Sequence, residues 1–298
     1  LGVIPAMQAQ TFDKLWKEVE QAEKKSLPKT VIKLTDEIYQ KGEKERNSAQ
    51  MLKAYMWRMK TQDILTPDSF YVGLRDLEQW AKQTEQPMDR AILHSLIAEF
   101  YANYAADNQW QLRQRTEIVG ETPSADIREW TANMFVEKVR TNVKEALADS
   151  LLLLKTSSLN YIPFVELGET SEYYHHDMYH LLASRAIRAL NQIERLERGS
   201  FNGITASPVK QDIINIYERM TDAYETVGLK EGYVLTMLQY LEWKRGNDNK
   251  LQPVQLKKGL GEWTADTYNA ALDELKRQFK SEPICAEVYL AQVRYAVE

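Results

Sequence analysis

Pro87-Met88-Asp89-Arg90-Ala91-Ile92-Leu93-His94-Ser95-Leu96-Ile97-Ala98-Glu99-Phe100-Tyr101-Ala102-Asn103-Tyr104 sets Ile92, Leu93, Leu96, Ile97, Phe100 and Tyr104 at the spacing of one helix face. The same period extends in both directions from it. Towards the N-terminus, Phe12, Leu15, Trp16 and Val19 form a stripe on a helix that Thr11 would cap and that ends near Lys25. Val31, Leu34, Ile38 and Tyr39 follow Pro28, which the first turn of a helix tolerates. Met51, Leu52, Tyr55 and Met59 follow a cap expected at Ser48, and Phe70, Leu74, Leu77 and Trp80 follow Thr66-Pro67-Asp68. Each predicted helix has one apolar face and joins the next through a few polar residues, so each must bury its stripe on a neighbour.

Towards the C-terminus the period lapses from Gln109 to Ser124, where Gly120 and Pro123 mark a boundary. A long helix is expected from about Ala125 to Lys155. Its run Leu151-Leu152-Leu153-Leu154 covers every face of one turn and should lie in the middle of the fold. After a loop from Asn160 to Ser171, a further helix reaches about Arg198, and Gly199 to Ser207 is a linker. Pro208 opens a pair carrying Ile213, Ile216, Tyr217, Met220 and Tyr224, then Val234, Leu238 and Leu241. The stretch from Arg245 to Gly261 is polar, and a last hairpin runs from Thr264, hinged at Pro283.

The expectation is an all-α fold, an array of antiparallel helical hairpins with degenerate, tetratricopeptide-like repeats. The step from Leu34 to Leu52 recurs from Leu74 to Ile92 and from Leu272 to Leu290, and Leu34 and Leu74 stand 40 residues apart, near the period of helical repeats. Residues 1–9 read as a signal-peptide remnant ending at Ala9, with a disordered start of a cytosolic domain as the alternative. Residues 10–118 read as an N-terminal helical-hairpin subdomain, and 119–298 as a second helical subdomain continuing the array. Val288 to Tyr295 is still in helical period where the sequence stops, which suggests a longer natural chain.

Composition narrows the function classes. Of 298 residues only 12 are Gly and 9 Pro, fewer than the frequent turns of an all-β fold require. The formal net charge is −5 with the signs interleaved, so no basic stripe invites nucleic acid. No window approaches a membrane span. A single cysteine excludes an internal disulfide.

The one suggestive cluster is Glu172-Tyr173-Tyr174-His175-His176-Asp177-Met178-Tyr179-His180. On a continuous helix Glu172, His176 and His180 would share a face at metal-ligand spacing, and His176-Asp177-x-x-His180 imitates the zinc-protease H-E-x-x-H. Asp is a methylene shorter than the general-base Glu, and no Gly-rich or third-histidine continuation follows. The preferred reading is therefore a polar helix start and no metal. Cys285 falls in the first turn of the last helix, where a thiol can be acidified, but no histidine follows it and a packed thiol is expected. His94 reads as a core-edge histidine with a satisfied ring. No G-x-S-x-G, phosphate-binding glycine loop or C-x-x-C is present. Trp110, Trp243 and Trp263 flank linkers and are candidates for stacking on a sugar or peptide.

Asp126-Ile127-Arg128-Glu129-Trp130, the helix to Leu154, Tyr161, and Met178-Tyr179-His180-Leu181-Leu182-Ala183-Ser184-Arg185-Ala186 resemble the N-terminal helical region of large bacterial alpha-2-macroglobulin-like proteins. Phe12-Asp13-Lys14-Leu15-Trp16 and Leu27-Pro28-Lys29-Thr30 resemble its start, while His180 departs from an acidic residue in the pattern. The resemblance implies an exported, periplasmic, cell-envelope or secreted protein whose later domains trap or bind proteases. Covalent trapping in that family needs a Cys-x-Glu-Gln thioester; this chain reads Cys285-Ala286-Glu287-Val288, and Gln10 after the expected cleavage does not support a lipid anchor. The expectation is a non-enzymatic scaffold or interaction module without a cofactor, whose partners are the later domains of the same polypeptide, proteases or envelope proteins. The alternative is a tetratricopeptide-like outer-membrane carbohydrate-binding protein, and a metal-dependent hydrolase on His176 and His180 is a third.

Overall fold

The computed structural model describes residues 4–66, 70–116, 124–197, 207–247 and 268–297. Among them are thirteen α-helices and no β-strand. In chain order they are α1 (Ile4–Lys24), α2 (Pro28–Glu45), α3 (Ser48–Leu65), α4 (Phe70–Gln83), α5 (Pro87–Asp107), α6 (Gln109–Gln114), α7 (Ala132–Ala146), α8 (Ser150–Lys155), α9 (Met178–Glu194), α10 (Pro208–Val227), α11 (Lys230–Asn247), α12 (Tyr268–Gln278) and α13 (Cys285–Val297). None is long and apolar enough to cross a membrane among the described residues. The all-α expectation holds.

The organising element is α5, and it is not single-faced. Besides Ile92, Leu93, Leu96 and Ile97 it buries Met88, Ala91, Ser95, Ala98, Tyr101, Ala102 and Ala105, a set that runs around the whole cylinder. Small side chains let neighbouring backbones come close, and an all-round apolar helix is stable only when surrounded. α4, α7 and α9 do this. Tyr101 Oη donates to Glu78 of α4 at 2.8 Å. The Tyr101 ring stacks on Trp130 at 5.2 Å, and Tyr104 stacks on Phe135 of α7 at 5.4 Å. On a third side Arg185 of α9 binds Glu99 and donates to Ser95 Oγ at 3.3 Å. A buried polar junction closes the base: Asp89, in the first turn of α5, accepts from Tyr161 Oη at 2.8 Å and from Ser48 Oγ.

The remaining helices extend from this hub. α9 packs on α10, α10 on α11, and α11 on α12 and α13. One core of buried side chains runs from Ala49 to Val288. A smaller core of Phe12, Trp16, Val19, Val31, Ile38 and Ala54 joins α1, α2 and α3. Trp16 Nε1 donates to Gln50 Oε1 at 2.6 Å there. The α2–α3 turn is tight: a Cβ at Gly42 would sit 2.9 Å from Met51 Cγ and 3.3 Å from the Asn47 carbonyl.

Several local expectations are corrected. α1 runs straight through Thr11, which therefore caps nothing. The cap of α3 is Asn47, whose side chain accepts from the Gln50 amide at 3.2 Å, leaving the Ser48 hydroxyl for Asp89. The long helix expected from Ala125 to Lys155 is broken. A 3-10 turn occupies Ile127–Glu129 and α7 ends at Ala146. Asp149 then caps α8 by accepting from the Leu152 amide at 2.9 Å. That restart rotates the leucine run outward: Leu153 is 1% exposed but Leu151 is 63% exposed.

Burial so unequal has a measurable consequence. Leu153→Ala should lower the unfolding free energy by about 2–5 kcal/mol, while Leu151→Ala should change it by less than about 0.5 kcal/mol. Urea denaturation of the two variants checks this, and equal losses would restore the buried-turn expectation.

Candidate functional site

The segment that suggested a metal site folds otherwise. Ser171–Tyr174 is a 3-10 turn, and His175 and His176 both adopt positive φ, 50° and 55°. The left-handed pair reverses the chain, and α9 begins at Met178 with Asp177 as its cap, Oδ1 accepting from the His180 amide at 2.7 Å. Glu172, His176 and His180 therefore do not share a helix face. Among the described residues no three His, Cys, Asp or Glu side chains are placed to hold a metal ion. The elbow is pinned by backbone bonds from Ser158 N to His176 O at 2.7 Å and from Met178 N to Thr156 O at 2.9 Å.

Two titratable groups at the elbow, Asp177 and His180, face the core. The His180 ring lies flat on Tyr174, with centroids 3.7 Å apart, and burial lowers its pKa to about 4. Asp177 is 5% exposed. Burial raises its pKa to about 6, partly offset by the His180 amide, the Tyr224 hydroxyl and the Tyr179 amide. Oδ1 also accepts from Tyr224 Oη at 3.3 Å, whereas Oδ2 is buried with no hydrogen bond. The other two suspects are similarly engaged. Cys285 is buried with its thiol 3.8 Å from the Lys276 carbonyl. His94 Nδ1 lies 2.8 Å from Asn142 Oδ1.

The elbow borders a pocket of about 290 Å³ through Glu172, Tyr173 and His175, and larger concave surface lies elsewhere. A wide cleft of about 720 Å³ is walled by α9, α10, α11, α12 and α13. Ile187, Leu235, Leu238 and Ala291 supply aliphatic surface, and Tyr217, Trp243, Tyr268 and Tyr295 supply aromatic surface. Most rings already have partners. Tyr217 stacks on Tyr240 at 5.1 Å, and Tyr268 meets Tyr295 at 4.9 Å with the Arg245 guanidinium 5.1 Å from its centroid. At the rim Glu242 accepts from Arg245 at 2.6 Å and from Tyr268 Oη at 2.9 Å. Burial raises the Glu242 pKa, but these bonds and the charges of Arg245 and Arg294 outweigh it and lower the value overall. A carboxylate held ionised in this way is a poor proton donor, so the cleft suits binding better than proton transfer.

A second cleft of about 690 Å³ lies between α3, α5, α9 and the 163–166 loop, floored by Met56, Trp57, Phe100, Phe164 and Leu181. A third depression, about 590 Å³, runs along α9 past Ser184, Arg188, Asn191, Gln192 and Arg195, facing Ala106 and Gln109. It shares Ser184 and Ile187 with the wide cleft, so the two are continuous.

The candidate stacking residues separate. Trp110 is 74% exposed on α6. Trp243 lines the wide cleft, with Nε1 donating to Asn191 Oδ1 at 3.0 Å. Trp263 lies outside the described residues. Arg188 and Arg195 escaped the sequence reading because charged residues were taken as solvated faces. The available signal, which covers Arg188 and not Arg195, was that Met178 to Ile193 contains Arg185 and Arg188 and no carboxylate. No family model, curated protein or solved structure matches this chain significantly.

The elbow yields a signed pH dependence. A carboxyl whose pKa is raised by folding contributes stability below its unfolded value near 3.8 that is lost as pH rises through about 6. His180 works oppositely, supporting the fold above 6.5 and losing that support as pH falls through about 4. Asp177→Asn keeps a capping oxygen and removes the buried charge. It should raise Tm at pH 8, with the gain vanishing by pH 4; a pH-independent change would contradict this assignment.

Proposed function

We propose that this chain is a non-catalytic helical scaffold and protein-interaction module at the N-terminus of a larger exported alpha-2-macroglobulin-like protein. Its working surface would be the cleft walled by α9, α10, α11, α12 and α13. One observation carries the reading: this wide cleft is lined largely by aliphatic and aromatic side chains, and of its charged residues Glu242 and Arg245 are tied to one another while Glu287 and Arg294 stand on α13. The strongly shifted Asp177 and His180 line neither of the two larger clefts. Apolar lining with a few fixed polar groups is the usual character of a recognition site, and a groove between helices suits an extended or helical polypeptide.

The family part of the proposal is supported by Trp130, Tyr161, Met178, Leu182, Ala183 and Ala186. All are buried, so the resemblance they carry concerns packing and not a reaction. Partners under this reading are later domains of the same polypeptide, proteases, or envelope proteins, met in the periplasm or outside the cell.

Carbohydrate binding is the second reading, favoured by the exposed indole of Trp110. The rings of the wide cleft argue against it, because sugar stacking needs a free aromatic face and those of Tyr217 and Tyr268 are engaged.

Panning a displayed peptide library on the purified chain, alongside an oligosaccharide array, tests the two. Leu238 lies half-buried in the cleft wall. Peptide binders should emerge whose affinity falls about ten-fold or more on Leu238→Asp, the scale of a central interface residue. Oligosaccharide binding without such peptides would overturn the proposal in favour of the glycan reading.

A further inference from the structure

The groove along α9 differs from the rest of the surface in charge. Arg188 and Arg195 stand two turns apart on one side of the helix, with Ser184, Asn191 and Gln192 between and beside them. No carboxylate lines this groove. Both arginines are exposed, and neither side chain makes an ion pair among the described residues. The nearby acids are committed elsewhere. Glu194 pairs with Lys210 at 3.4 Å, and Glu197 accepts from the Ser207 hydroxyl and, at 3.0 Å, from the Val209 amide. Arg113 of α6 reaches the same end, donating to the Arg195 carbonyl at 3.1 Å. Trp110 stands nearly one turn earlier on that helix, open to solvent.

We propose that this groove binds an acidic polypeptide segment, its carboxylates held by Arg188 and Arg195 and an adjacent bulky apolar side chain seated in the wide cleft beyond Ile187. The inference rests on the protein-interaction reading above and names the chemistry of the partner. A guanidinium presents paired N–H donors that match a carboxylate, and it is weakly enough hydrated to give up water for one. Two helical turns separate the arginines by about 10 Å along the axis, the reach of about three extended residues. A short segment with two acidic side chains therefore spans them.

The surroundings select a peptide over other anions. The groove opens into a cleft whose aliphatic walls, Leu235, Leu238 and Ala291, take an apolar side chain but offer nothing to a sugar hydroxyl. A long polyanion would also meet a chain of formal net charge −5. Asn191, fixed by the Trp243 indole, and Gln192, which donates to Asn103 at 2.9 Å, give the floor fixed amides for a peptide backbone.

The test is fluorescence anisotropy with a labelled peptide in which glutamates flank one phenylalanine. A lysine-for-glutamate peptide and a labelled oligogalacturonate serve as comparators. The acidic peptide should bind, lose affinity as salt rises, and weaken about ten-fold or more on Arg188→Glu with Arg195→Glu. The lysine peptide should not bind. Circular dichroism monitors folding, and Arg188→Gln with Arg195→Gln replaces the reversal if that variant unfolds. Failure of the acidic peptide to bind, equal binding by the arginine variant, or preference for the oligogalacturonate at this groove would overturn the inference. Library peptides that depend on Leu238 but ignore both arginines would overturn it while leaving the interaction-module reading intact.

Discussion

Burying most of the circumference of α5 is the constraint from which the rest of the architecture follows. A helix that hides Leu93, Ala98, Tyr101 and Ala105 at once leaves little beyond the side of Glu99, Phe100 and Asn103 open to a cleft, so it needs at least three neighbours around it. The chain supplies α4 directly, then returns with α7 and α9. Those returns make the fold a hub with extensions instead of a simple procession of hairpins. The polar contacts of α5 sit at its edges: Asp89 at the base, Glu99 and Tyr101 on the flanks. They fix rotation and register where apolar packing, being non-directional, does not.

The elbow before α9 converts that hub into a usable surface. Two consecutive left-handed residues that are not glycine are unfavourable alone, and here the surrounding bonds hold them. With the turn fixed and Asp177 capping the helix, α9 has a single direction. One side of it seals α5 and another receives α10. A third remains open as the wall shared by the wide cleft and the arginine groove. The buried aspartate without a partner for Oδ2 is the local cost of that arrangement.

Much of this was legible in the residues. Apolar side chains at helical spacing gave α2, α5 and α10 nearly to their ends, because Pro28, Pro87 and Pro208 open their first turns. The second and third faces of α5 stayed hidden because alanine and serine signal neither inside nor outside. The metal-like spacing of Glu172, His176 and His180 was illusory for a definite reason: it presumed an unbroken helix, and a short acidic cap competed successfully with helix propagation. Asp149 did the same to the leucine run. The clefts were invisible because they belong to helices distant in sequence, and Arg188 and Arg195 looked like ordinary surface until α6 closed the other side.

Hydrogen exchange across α5 tests the central claim most directly. If this helix is the enclosed strut on which the other helices rest, the amides of Ile92 to Ala102 should exchange only through global unfolding, sharing the free energy and urea dependence of complete denaturation. Exchange of these amides through a smaller, urea-insensitive opening, while α10 and α11 remain protected, would contradict it.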